Sequence, residues 1–208
     1  MKKVLATLSM IAVLLLTTDM QANAATKAER ALNKEVKTRV KSLQKDGWEV
    51  IGMRPLDASI REHIKKIMVP GTDELVSIVE DINSPNVAMQ QAHNNAMVRY
   101  ASNAKSHVMG RVTSEVANIG GQELDNFYAA YERLVSAEIR GELKESVVLR
   151  RKARGGRYDY RVFYLINEDE ASRARMRAMQ NALNESKLAQ SIAEQISDFV
   201  REGFTIYE

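Results

Sequence analysis

The residues best suited to bind a ligand form a basic cluster around the Gly155-Gly156 pair. Segment 140–161 holds eight basic and three acidic residues, a net charge of +5, in a chain whose formal net charge is +3. Guanidinium and ammonium groups concentrated in this way favour phosphate or carboxylate ligands, such as an anionic lipid headgroup, an anionic glycan or an acidic partner. The candidate polyanion-binding residues are Arg150, Arg151, Lys152, Arg154 and Arg157.

Each of these basic and aromatic features has a structural alternative. Cations at the end of a hairpin keep an exposed strand from pairing with another sheet. A second basic segment, 27–45, suits either a helix lying on a membrane surface or a terminal helix docked on its own domain. Tyr158, Tyr160 and Tyr164 suit either a ligand platform or a surface on which a helix packs. The structural alternative is the simpler one in each case.

The spacing of titratable residues predicts no reaction centre. His93 and His107 fall on one predicted helix about 21 Å apart, at about 1.5 Å per residue, and neither they nor His63 have a second metal ligand three or four residues away. Motifs for a nucleophile elbow, a zinc protease, a phosphate loop or a dinucleotide fold are absent from the sequence. The acids at 168–170 suit the start of a helix. We therefore expect no enzyme, catalytic residue, cofactor or metal, although carboxylates distant in sequence escape such a search.

Hydrophobic periodicity predicts the elements that carry these residues. The first half of the chain is predicted to contain a helix over 26–45, a strand over 48–53, a helix capped by Ser59 and stopped by Pro70-Gly71, and a strand over 75–79. A long buried helix follows from Ser84-Pro85 to Gly120-Gly121, with small residues on its inner face. The rest of the chain is predicted to form a helix over 124–139, a hairpin of 145–152 and 158–166, and a helical region from 168 to 203 with a break at 184–186. This order predicts an α+β fold: a small, mostly antiparallel sheet with a long central helix and further helices packed on one face.

The first 24 residues have the three parts of a secretory signal peptide. Lys2 and Lys3 precede the apolar run 4–16, and Ala22-Asn23-Ala24 supplies small residues for cleavage. We expect cleavage after Ala24, one domain over 25–208, and a periplasmic or outer-membrane-associated location without a transmembrane segment. The sequence has no cysteine, so neither a lipid anchor on cysteine nor a disulfide is expected.

A resemblance to a known family rests on three runs, LVSIVEDINSPNVAMQQAHNNAMVRYASNAKSHVMGRV, YERLVSAEIRGELKESVVLRR and RYDYRVFYLIN. Over about 48–183 the chain resembles the small envelope-lipoprotein domain of the LPP-twenty type, which is similar to the N-terminal domain of a flagellar basal-body ring protein. The resemblance implies an α/β sandwich-like domain in the cell envelope, with no catalytic residues to carry over. The chain departs from the lipoprotein members in lacking the acylated cysteine.

Together these features predict a non-enzymatic envelope protein that acts through protein contacts in assembly or surface organisation. The alternative is a binding module for an anionic lipid headgroup or glycan, acting through the basic hairpin. A net charge near zero predicts no strong overall field, and we expect no nucleic-acid partner.

Overall fold

The computed structural model describes residues 27–115, 121–186 and 190–203. Its elements are α1 (27–45), β1 (Glu49–Val50), α2 (Leu56–Ile67), β2 (Thr72–Ile82), α3 (Pro85–Glu115), α4 (Gln122–Glu138), β3 (Lys144–Lys152), β4 (Tyr158–Asn167), α5 (Glu168–Ser186) and α6 (Gln190–Glu202). The predicted signal peptide and the Gly120 end of the long helix lie outside the described residues.

The strands form one antiparallel sheet in the order β1-β3-β4-β2. β3 and β4 are the predicted hairpin, and Gly155 and Gly156 have φ of 69° and 77° at its tip. These left-handed conformations are readily adopted by glycine, which is why this pair can turn the chain. The predicted α+β class, with its antiparallel sheet and long helix, is confirmed.

The long helix α3 is buried against the sheet through its small residues. Ala92, Ala96 and Ala104 are at most 1% exposed, and they share one core with Val162 and Tyr164 of β4. Alanines on the inner face allow the helix to lie close to the strands. Helices α4, α5 and α6 complete the same core, so the predicted central helix is confirmed.

Helices cover both faces of the sheet, whereas the sequence pattern placed them on one. A second core joins α1 and α2 to the opposite face of the β3–β4 hairpin, where Val147, Leu149 and Phe163 are buried. The reason lies in the strands themselves, because β4 is apolar on both sides. A sheet with two apolar faces needs a helix layer on each.

Two local predictions near the start of the sheet are wrong in detail. Ser59 does not cap α2, because the helix begins at Leu56 after Pro55 and the Ser59 N–H already donates to the Pro55 carbonyl. The strand predicted over 48–53 is reduced to Glu49–Val50. Gly52 follows with φ of 140°, outside the strand region, so the backbone turns away there.

Candidate functional site

Three of the five predicted hairpin cations are held in ion pairs. Arg150 lies 3.8 Å from Glu49, and Arg157 lies 2.6 Å from Asp81. Arg151 donates two hydrogen bonds to one oxygen of the buried Asp159, at 3.1 and 2.8 Å. Burying Asp159 without that partner would leave an unpaired charge, so Arg151 has a structural role.

The two remaining hairpin cations differ from the other three. Lys152 and Arg154 are exposed, and neither has an ion-pair partner within the described residues. The hairpin as a polyanion site stays a prediction, and its available charge is concentrated on these two side chains. Of the three tyrosines considered as a ligand platform or a packing surface, Tyr160 and Tyr164 are buried and therefore pack in the core.

A cleft lined by three arginines lies between α1 and the sheet. Its volume is about 490 Å³, and it brings together Arg39 of α1, Arg99 of α3 and Arg161 of β4. The rest of the lining is mainly apolar: Leu43, Val76, Ile78 and Phe163, with Ser42 at one side. A concave apolar surface bordered by guanidinium groups can hold a ligand that is anionic at one end and apolar at the other.

The three arginines of this cleft are held in different ways. Arg39 is paired with Glu74 at 2.5 Å and with Glu35 at 3.1 Å. Arg161 lies over the ring of Trp48, 4.9 Å from its centroid. Arg99 is exposed and donates a weak hydrogen bond of 3.4 Å to a backbone carbonyl of β2. Arg99 is therefore the guanidinium group that can turn toward a ligand at the lowest cost.

Sequence reasoning identified the two basic segments but not the cleft. The first helix contributes Arg39 and the hairpin contributes Arg161, so both segments meet at one place. Arg99 lies on the long helix, which packs on the other face of the sheet, and reaches the edge strand β2. Only the strand order, with β2 at an edge, brings this side chain to the cleft.

A chain of polar side chains crosses the core beneath α1 and α2. The Nε2 atom of His63 lies 2.5 Å from Oε1 of Glu74, and its Nδ1 atom lies 2.9 Å from Oγ of Ser146. Arg39 also donates to Oε1 of Glu74. His63 is fully buried, with its ring 5.3 Å from that of Phe163. The four residues come from α1, α2, β2 and β3.

A β-bulge places Ser146 in this chain. Glu145 pairs with Tyr164 and Val147 pairs with Phe163, so Ser146 is an extra residue in β3. Tyr164 and Phe163 belong to opposite faces of the sheet, so Glu145 and Val147 do too. The strand predicted over 145–152 is therefore not regular, because its alternation of side chains between the two faces is broken at Ser146. Bulges re-aim side chains, and this one turns the hydroxyl toward His63.

Glu74 is held ionised in this environment. Burial by itself would raise the pKa of its carboxyl, but the hydrogen bonds from His63 and Arg39 outweigh burial and lower the pKa below the usual value. An ionised carboxylate only accepts hydrogen bonds, so the His63 Nε2 atom carries the proton. In the neutral imidazole, Nδ1 is then the acceptor for the Ser146 hydroxyl.

Sequence signals for this chain exist, although motif searches do not find them. His63 falls three residues after Ile60 and four before Ile67, on the apolar side of α2. A histidine at such a position is buried and needs polar partners. Glu74 similarly lies two residues before Val76, on the same inward face of β2. The identity of the partners depends on strand pairing, which the sequence does not show.

Two of the three acids at the start of α5, Glu168 and Glu170, have structural contacts. Glu168 accepts from Arg175 at 2.5 Å, and the Asn167 side chain accepts the Glu170 N–H at 3.2 Å. Arg175 is 1% exposed and also donates to the hydroxyl of Tyr100. Burial raises the pKa of Tyr100 to about 12, so the phenol stays neutral. The hydrogen bond from Arg175 to Tyr100 joins α5 to α3 within the core.

Comparisons with family models, with curated proteins and with solved structures found no match to the chain. The resemblance to the LPP-twenty type therefore stays a prediction. Within the described ranges, no three histidine or acidic residues come together as a metal site. None of the helices in that part of the chain is long and apolar enough to cross a membrane.

Proposed function

We propose that this protein is an exported cell-envelope protein that binds an anionic lipid in the cleft between α1 and the sheet. The observation that carries the proposal is the convergence of Arg39, Arg99 and Arg161 on an apolar cavity of about 490 Å³. The arginines suit a phosphate or carboxylate headgroup, and the apolar lining suits the first methylene groups of an acyl chain. The export signal expected from the sequence would deliver the protein to such lipids.

Vesicle binding tests the proposal. The full mature chain should co-sediment with phosphatidylglycerol vesicles and not with phosphatidylcholine vesicles, and binding should weaken as salt rises. Replacing the exposed Arg99 by glutamine should weaken binding about five-fold, since a cation near an anionic membrane contributes about 1 kcal/mol. The single tryptophan, Trp48, contacts Arg161 and offers a fluorescence readout of the same event.

A matched variant distinguishes the cleft from the hairpin. Lys152→Gln combined with Arg154→Gln removes two exposed cations of the hairpin without breaking an ion pair among the described residues. The cleft is correct if R99Q weakens binding and the hairpin double variant does not. The opposite result assigns the site to the hairpin. Equal binding to anionic and neutral vesicles contradicts the proposal altogether.

The other function predicted from the sequence is protein contact during envelope assembly. It stays a prediction. Co-purification from native envelopes under cross-linking would test it, with the R99Q variant separating contacts at the cleft from contacts elsewhere.

A further inference from the structure

Beneath α2, two consecutive hydrogen bonds join a serine to a histidine and the histidine to a glutamate. Oγ of Ser146 lies 2.9 Å from Nδ1 of His63, and Nε2 of His63 lies 2.5 Å from Oε1 of Glu74. A hydroxyl in contact with a base, which is itself held by a carboxylate, is the geometric signature of an activated serine. We infer that Ser146 is a nucleophile for acyl transfer, with His63 as its general base and Glu74 as the residue that positions the imidazole.

The protonation pattern of the three residues fits this role. The ionised Glu74 carboxylate accepts a hydrogen bond from the Nε2–H of His63, and the lone pair of Nδ1 is then directed to the Ser146 hydroxyl. The two ring nitrogens are exchanged relative to the serine proteases, in which Nε2 faces the serine. Either ring nitrogen can accept a proton, so the exchange preserves the chemistry.

Ser146 is half-buried and also lines a cavity, from which a substrate would have to approach it. The cavity has a volume of about 210 Å³ and lies between β3 and the segment that joins β1 to α2. Its lining is mixed: Val50, Ile51 and Met53 are apolar, and Met53 is fully exposed. Arg54 also borders the cavity, but it is already paired with Glu62. A small cavity with this mixed lining can hold an ester with a short acyl group. The cavity shares no lining residue with the arginine cleft, so this inference does not depend on lipid binding.

The reaction can be written from these groups and water. Oγ of Ser146 forms a bond to the acyl carbon while its proton passes to Nδ1 of His63. The bond from the acyl carbon to the alcohol oxygen breaks, and that oxygen takes the proton from Nδ1. Water then attacks the acyl-serine, giving its proton to Nδ1, and Ser146 regains a proton as the carboxylic acid leaves.

A purely structural role for the same hydrogen bonds is the competing explanation. A buried histidine needs polar partners in any protein, and Ser146 and Glu74 would satisfy that need. The two explanations differ in reactivity. A hydroxyl that only satisfies His63 reacts like any other serine, whereas a nucleophile with a general base gains about 10²- to 10⁴-fold.

Labelling with a fluorophosphonate separates the two explanations. The full mature chain is incubated with the probe beside a known serine hydrolase, and adducts are located by peptide mass spectrometry. We expect an adduct on Ser146 that forms at least about 100-fold faster than on any other serine, as general-base activation requires. Absence of an adduct on Ser146, while the reference enzyme is labelled, would overturn the inference.

Variants then assign the roles. Ser146→Ala should abolish labelling, and Ser106→Ala should leave it unchanged, because Ser106 is exposed on α3 and does not line this cavity. His63→Gln should slow labelling by about 100-fold, with circular dichroism used to verify folding. Hydrolysis of p-nitrophenyl acetate should follow the same ranking. Labelling of Ser146 that is unaffected by H63Q would remove His63 from the reaction.

Discussion

Individual basic side chains in this protein differ in their surroundings, in ways that composition alone does not show. Arg151 and Arg175 each support a fold element through a carboxylate, and Arg175 is almost completely buried. Arg99, Lys152 and Arg154 are exposed and can reach a ligand without leaving a buried charge unpaired. Substitutions of Arg151 or Arg175 therefore report mainly on stability, and substitutions of the three exposed residues report on binding.

Glu74 provides the clearest test by a single substitution, because Arg39 of α1 and His63 of α2 both donate hydrogen bonds to its carboxylate. Glu74→Gln should destabilise the protein by about 2 kcal/mol at pH 7, the usual loss for hydrogen bonds to a charged group. The pKa of Glu74 is lowered in the folded protein, so its contribution is present above the unfolded value of about 4.3 and is lost as the pH falls through the folded value. The difference between the two proteins should therefore shrink below about pH 4.3.

Urea denaturation of the wild type and of E74Q, at intervals from pH 7 to pH 3, measures this difference. The control is Glu80→Gln, since Glu80 is exposed and has no ion pair within the described residues. A difference that is constant across the pH range would show that the Glu74 carboxylate is not linked to folding in this way.

At the scale of elements, sequence patterns predict the helices and strands well where periodicity is long. The 31-residue helix α3 and the β3–β4 hairpin follow from apolar spacing and from the Gly-Gly turn. The bulge at Ser146 is not predictable in this way, because one extra residue leaves the local alternation looking regular. Its consequence is large, since it decides which face the serine occupies.

The hydrogen-bonded chain of His63, Glu74 and Ser146 could not be predicted from the sequence for a related reason. His63 lies 83 residues from Ser146 and 11 from Glu74 in the sequence, and the three meet only through the order of the strands. The sequence shows two basic segments, but it does not show that Arg39 of one and Arg161 of the other line the same cleft, because this depends on helices covering both faces of the sheet. Residue types are readable from sequence, whereas pairings between distant segments are not.

The alanine face of α3 sets the distance between this helix and the sheet. Ala96→Leu adds three carbon atoms at a position only 1% exposed, so the helix must move or its neighbours must adopt strained rotamers. We expect a loss of about 1–3 kcal/mol in the free energy of unfolding. The matched change Asn95→Leu, on the exposed side of the same turn, should stay within about 0.5 kcal/mol. Equal effects of the two changes in urea denaturation would contradict the close packing of α3.

The molecule as a whole has two apolar cores that share one sheet. β3 and β4 contribute Leu149 and Phe163 to the core under α1 and α2, and β4 contributes Val162 and Tyr164 to the core under α3. With no cysteine in the sequence, disulfides contribute nothing, and stability depends on packing these two cores. Because alternate residues of one strand belong to both cores, neither can loosen without disturbing the other.

Unfolding should therefore be a single cooperative transition. Trp48 reports on the core under α1 and α2, while far-ultraviolet circular dichroism reports on all the helices, so the two signals should change at the same urea concentration. Leu43→Ala removes a buried side chain of α1 and should lower both midpoints together, at a cost of about 2–5 kcal/mol. Ser42→Ala, at the adjacent exposed position, is the control. A contradicting result would be that L43A lowers the midpoint of the Trp48 transition but not that of the circular-dichroism transition. The core under α3 would then stay folded after the core under α1 and α2 has unfolded, so the shared sheet would not couple the two cores.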